Sequence, residues 1–122
     1  MSTYKNSRMA EDIKREITAI IRELKDPRIA DKLLTVVRTE VASDLSFCKV
    51  YVSAFEGIDV AKNAVKGLTN AQGLVRREVA KRLKLRKAPE LKFVADDSVK
   101  EGIELWQRYE SKLRKDSPNE ND

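Results

Sequence analysis

Along this chain the spacing of apolar residues switches between three-to-four and two, and the order of the switches restricts the fold more than any other feature. From about Ser7 to Leu24, the residues Met9, Ile13, Ile17, Ile20, Ile21 and Leu24 recur three or four apart, the mark of an amphipathic helix. It should stop at Asp26-Pro27, because the residue before a proline is pushed out of the helical region and Pro27 has no N–H to donate. Two runs rich in β-branched residues follow, Leu34 to Val41 and Phe47 to Ser53, separated by the turn-like Ala42-Ser43-Asp44-Leu45-Ser46, and they read as a hairpin. In the second run Cys48, Val50 and Val52 alternate with Lys49, Tyr51 and Ser53, so one face of the sheet should be covered by helices and the other polar.

The helical period returns through Val60, Ala64, Val65 and Leu68 and continues through Ala71, Val75, Val79 and Leu83, interrupted by Asn70-Ala71-Gln72-Gly73. This predicts a helix, a kink and a second helix. Pro89 should open a third strand, Leu91 to Ala95, ended by Asp96-Asp97-Ser98. Ser98 with Glu101 then reads as a capping box for a last helix, whose apolar face is Val99, Ile103, Trp106, Tyr109 and Leu113. On that spacing Trp106 and Tyr109 are expected to pack into the core, leaving Tyr51 as the exposed aromatic.

With 122 residues, 41% of them hydrophobic, the chain can close one core and not two. The predicted architecture is α+β, one domain over residues 1–114 with a disordered tail at 115–122. No apolar stretch is long enough to cross a bilayer, and the start of the chain lacks the apolar core of a secretory signal, so a cytoplasmic location is expected. The single cysteine, Cys48, cannot form an internal disulfide and alternates with core residues, which predicts a buried thiol.

Catalytic readings find little support. The chain has no histidine, so neither a His/Cys metal cluster nor a histidine-based triad can be assembled. The four glycines are scattered and match no phosphate-binding loop. Asp96-Asp97 is the one adjacent carboxylate pair in a loop, and its position before a helix suits an interaction with the helix dipole better than acid–base chemistry. No cofactor is expected.

The net charge of +5 is unevenly placed. Between Leu74 and Lys92 stand Arg76, Arg77, Lys81, Arg82, Lys84, Arg86, Lys87 and Lys92 against Glu78 and Glu90, which leaves the rest of the chain slightly acidic. A helix opening at a kink offers backbone N–H groups to phosphate, and arginines can chelate neighbouring phosphates, so this segment is the candidate RNA contact; a merely solvated helical face is the competing reading. Two expectations follow: Gly73→Val should damage the fold or the kink, and Arg76→Glu with Arg77→Glu should weaken RNA binding while sparing the fold. A protein-interaction module docking through a sheet edge or the final helix is the alternative function, or a general basic RNA-binding domain.

Several segments in order resemble the ribosome-binding factor A family: Asp26-Pro27-Arg28, Ser43-Asp44-Leu45 before Lys49-Val50-Tyr51-Val52-Ser53, Ala71-Gln72-Gly73-Leu74-Val75-Arg76, Leu83-Lys84-Leu85-Arg86, and Pro89-Glu90-Leu91-Lys92-Phe93 leading to Asp97-Ser98. The resemblance implies a type II KH-like fold in which an Ala-x-Gly kink, here Ala71-Gln72-Gly73, replaces the usual G-x-x-G loop. It further implies a non-enzymatic factor that binds the free 30S ribosomal subunit; nothing in the sequence demands more than a monomer. Such a factor assists late maturation of 16S rRNA near its 5′-terminal helix, matters most in the cold, and is released with help from a GTPase. Carried onto this sequence, the RNA-facing candidates are Ala71, Gln72 and Gly73 at the kink, Arg76, Arg77, Lys81, Arg82, Lys84 and Arg86 beyond it, and additionally Arg28 and Arg8.

Overall fold

The computed structural model describes residues 3–97 and 105–113, with side chains from residue 7 onward. The first helix, α1, runs Thr3–Glu23 and turns Ile13, Ile17, Ile20 and Ile21 inward, each less than a tenth exposed. It begins earlier than the apolar stripe suggests, because neither proline nor glycine precedes Met9 to interrupt it. It ends, as its sequence requires, just before Asp26-Pro27. The turn that follows is organised by the Asp26 carbonyl, which accepts the N–H groups of Ile29 and Ala30 at 2.8 and 2.7 Å, and it drives Ile29 into the core.

Strands β1 (Leu34–Val41) and β2 (Phe47–Ala54) form the expected antiparallel hairpin. At its tip Asp44 accepts the backbone N–H of Ser46 at 3.1 Å and its hydroxyl at 2.6 Å, while Leu45 takes a positive φ of 62°. The pairing slips once between Val36 and Arg38, a β-bulge that inverts the alternation of β1 from Arg38 onward.

Gly57, with φ 121°, leads into helix α2 (Ile58–Asn70), and Ala71 alone separates α2 from helix α3 (Gln72–Arg82). Strand β3 (Glu90–Ala95) then lies parallel to β2, giving a three-stranded mixed sheet in the order β1-β2-β3. The α2–α3 pair serves as the long crossover that a parallel pairing demands. The α1-β1-β2-α2-α3-β3 order is that of the KH-like α+β fold.

Helices α1, α2 and α3 each contribute to one aliphatic core against the sheet face that carries Cys48, Val50 and Val52. Ile13 and Ile17 of α1, Leu68 of α2, and Val75 and Val79 of α3 are fully buried there. A three-stranded sheet is roughly 10 Å across between its outer strands, which fits two helices side by side at 8–10 Å; α1 and the α2–α3 pair fill that width.

The expectation for Trp106 and Tyr109 is therefore overturned. Residues 105–113 are helical, but Trp106 is 58% and Tyr109 54% exposed, with Leu105 and Leu113 also in solvent. Their rings lie 5.8 Å apart and meet each other, because the layer that would receive them is already occupied. The capping box at Ser98 and Glu101, with Val99 and Ile103, and the tail at 115–122 lie outside the described residues.

Candidate nucleic-acid interface

The basic segment occupies α3 and the turn between α3 and β3. Its apolar positions Val75 and Val79 anchor α3 in the core, so positions four apart on the opposite side must face outward. Gly73, Arg77 and Lys81 form that outward row, and all three are exposed. No side chain caps the start of α3; at the Ala71 junction the α2 carbonyls of Gly67, Leu68 and Thr69 accept backbone N–H groups, so the first amides are partly satisfied within the chain.

The helix ends in a Schellman arrangement: Leu85 N–H donates to Ala80 O at 2.8 Å and Lys84 N–H to Lys81 O at 3.3 Å. The residue between cap and return is Lys84, with φ 55°, a position that glycine normally takes. Its side chain is exposed, as are those of Arg86 and Lys87 in the following turn. Arg77, Lys81, Lys84, Arg86 and Lys87 form no ion pair or side-chain hydrogen bond with the described residues, so their charges face solvent uncompensated.

Other residues marked out by the sequence are engaged inside the protein. Gln72 accepts the N–H of Leu91 through Oε1 at 3.2 Å, tying the start of α3 to β3. Arg76 is half-buried and donates from a terminal nitrogen to the Ala88 carbonyl at 3.1 Å, while its Nε is buried without a partner among the described residues. Arg82 bonds both carboxylate oxygens of Glu23 at 2.9 and 3.1 Å and Glu78 at 3.3 Å. These pairs, Glu23 first, raise its pKa further and fasten α3 to α1. Arg28 is clasped by Asp26. Arg8 is exposed on the first turns of α1.

The structure thus brings Gly73, Arg77, Lys81, Lys84 and Arg86 onto one surface and gives Gln72, Arg76, Arg82 and Arg28 internal partners. Two expectations about variants change with it. A Cβ added to Gly73 meets nothing within 4 Å, so Gly73→Val has no steric reason to break the kink, which lies at Ala71 instead. Arg76→Glu would remove the brace on Ala88, so it cannot serve as a charge change that leaves the fold untouched. Sequence reasoning also missed the Schellman turn; the signal would have been a lysine placed where helix-ending glycine is usual.

Among the described residues no group of three or more Cys, Asp or Glu side chains is placed to hold a metal, and no helix is long and apolar enough to cross a membrane.

Residues 5–108 match the family model described as ribosome-binding factor A. A curated ribosome-binding factor A of Treponema denticola is 43% identical over 113 residues, spanning 91% of this chain and 85% of that protein. The crystal structure of ribosome-binding factor A from Thermus thermophilus superposes with a TM-score of 0.64 at 29% identity, over 74% of this chain and 93% of that one. Coordinates of the same Thermus thermophilus protein fitted into a cryo-electron-microscopy map of its complex with the 30S subunit give a TM-score of 0.62 at 29% identity, over 75% of this chain and 96% of that one. With the model match extending over most of the chain and the fold agreeing, this chain belongs to the ribosome-binding factor A family.

Proposed function

We propose that this chain is a non-catalytic assembly factor that binds the free 30S subunit and holds 16S rRNA by its phosphates during late maturation near the 5′-terminal helix. The observation that carries the reading is the exposed row Gly73, Arg77 and Lys81, continued by Lys84, whose cations have no partner among the described residues. The cations of Arg77, Lys81, Lys84 and Arg86, unpaired among the described residues, supply affinity through counterion release, with little base readout. Lys84 strengthens the case. Keeping a side chain at a left-handed position costs about 1–2 kcal/mol, and such strain concentrates where a residue is kept for what it contacts. The fitted 30S complex of the Thermus thermophilus relative supports the choice of particle.

Gln72, Arg76, Arg82 and Arg28 then act as braces: they hold β3, the turn before it and α1 in the positions from which the exposed cations act. The monomer is sufficient for this surface, the setting is the cytoplasm, and release falls to a ribosome-associated GTPase.

Co-sedimentation with separated small subunits, large subunits and joined ribosomes, at low and moderately high salt, tests the reading. Retention on free small subunits alone is expected. Equal retention on all particles would reduce the protein to a general basic RNA binder, and retention that survives both nuclease and high salt would identify a protein-docking module instead.

A further inference from the structure

The sheet face turned away from the helices has no part in the surface described above. On the central strand β2, alternation places Phe47, Lys49, Tyr51 and Ser53 on this side, Ser53 being buried, and Phe55 stands exposed in the turn just beyond the strand. Phe47 and Tyr51 are thus about 13 Å apart, with Lys49 between them. The bulge in β1 adds Arg38: without it, alternation from Val36 would turn Arg38 away from its partner Tyr51.

The Arg38 guanidinium lies over the Tyr51 ring, 4.0 Å from its centroid, and Lys49 Nζ is 5.9 Å from the same centroid. Lys92 stands beside Lys49 in the β3 register. Glu40 shares the face, but its carboxylate accepts the Tyr51 hydroxyl at 2.9 Å and faces Arg38 at 3.4 Å, which fixes the stack in place; the charge of Asp96 also acts on Arg38. At the far end Phe55 is 69% exposed, next to Leu33.

We propose that this face is a second RNA contact. It takes unpaired nucleotides whose bases stack on the Arg38–Tyr51 pair and on Phe55, while Lys49 and Lys92 meet the phosphates. The proposal rests on the reading of the chain as an RNA-binding protein. RNA is favoured over a protein partner because Arg38 and Lys49 flank the Tyr51 ring, and because basic residues, interrupted by Glu90 beside Phe47, run from the helical surface to this face. Arg86 and Lys87 lead directly into edge strand β3, and Lys92 carries the charge round that edge onto the open face.

The test uses a short unstructured oligouridylate followed by fluorescence anisotropy, with three proteins whose thermal unfolding is first matched. These are the parent, a sheet variant (Lys49→Ala, Phe55→Ser, Lys92→Ala) and a helix variant (Arg77→Glu, Lys81→Glu). The sheet variant is expected to bind about tenfold more weakly, and amide resonances of β2 and β3 should shift when the parent is titrated. Loss in the helix variant alone, with sheet resonances unmoved, overturns this proposal and leaves the helical surface standing. Loss in the sheet variant alone upholds it and removes the helical surface. A sheet variant that keeps its oligonucleotide affinity yet dissociates from 30S particles also overturns it, since the face would then meet a ribosomal protein. Should the triple variant fail to fold, Phe55→Ser by itself, at the most exposed ring of the face, carries the same test.

Discussion

The Asp26 carboxylate lies against Gly67: a Cβ at that glycine would stand 3.1 Å from Asp26 Oδ2, and the same distance from Ile29 Cδ1. Neither neighbour moves easily. Arg28 donates its backbone N–H, Nε and a terminal nitrogen to the carboxylate at 2.8, 3.0 and 2.7 Å, and Ile29 is buried. The Asp-Pro-Arg turn is thus seated on α2 at the one helix position without a side chain.

Alanine in a helix interior gains about 1 kcal/mol over glycine, but overpacking against fixed neighbours costs about 1–3 kcal/mol. Gly67→Ala should therefore be destabilising by roughly 1 kcal/mol and Gly67→Val by more, read from urea midpoints. A raised midpoint for Gly67→Ala would mean that the turn yields and that the close approach is not needed.

The same turn sets part of the acid limit of stability. Hydrogen bonds from the Arg28 side chain, then from its backbone, hold the Asp26 carboxyl below its usual value, and Ser46 does the same for Asp44. A depressed carboxylate stabilises the fold at every pH above the ordinary carboxylate range, and that contribution is lost as pH falls through and below the range. Asp26→Asn should lower the melting temperature at neutral pH and flatten its decline below about pH 4. Parallel curves for parent and variant would show that Asp26 carries no such linkage.

Lys84 separates stability from binding. Lys84→Gly relieves a left-handed side chain and should raise stability by about 1 kcal/mol, while lowering RNA affinity through the lost cation. Reduced stability would mean that the lysine stem packs in a way that offsets the backbone strain.

Salt dependence measures how many of the free cations reach phosphate. If about four to six phosphates are contacted, log K against log salt should fall with a slope of roughly −3 to −4 on single strands, and Arg77→Glu with Lys81→Glu should flatten it by about 1.4 or more. The same slope in parent and variant would place both residues off the RNA.

Cys48 is fully buried on β2, and burial pushes its thiol pKa up to about 12. At pH 8 only roughly one thiol in ten thousand is ionised, so a thiol reagent should modify the native protein no faster than it unfolds, and the denatured protein at once. Rapid labelling under native conditions would contradict the burial.

The sequence by itself determined the order of elements, since apolar period and proline placement are local signals that act before any packing. Leu34 to Val41 is bounded as its β-branched run predicts, and Cys48, Val50 and Val52 reach the core because alternation leaves them no other side. It also located the basic segment, because charge density is a property of the chain. What it left undecided was which cations remain available. Arg82 is committed to Glu23 across 59 positions, and Arg76 to a carbonyl 12 residues on; both distances collapse only when α3 docks against α1 and β3. The Arg38 stack depends on a bulge that no local pattern announces, and Trp106 and Tyr109 stay outside the core because the helix-facing side of the three-stranded sheet is already covered. Periodicity gives each helix a face to bury, but the width of the sheet sets how many such faces find room.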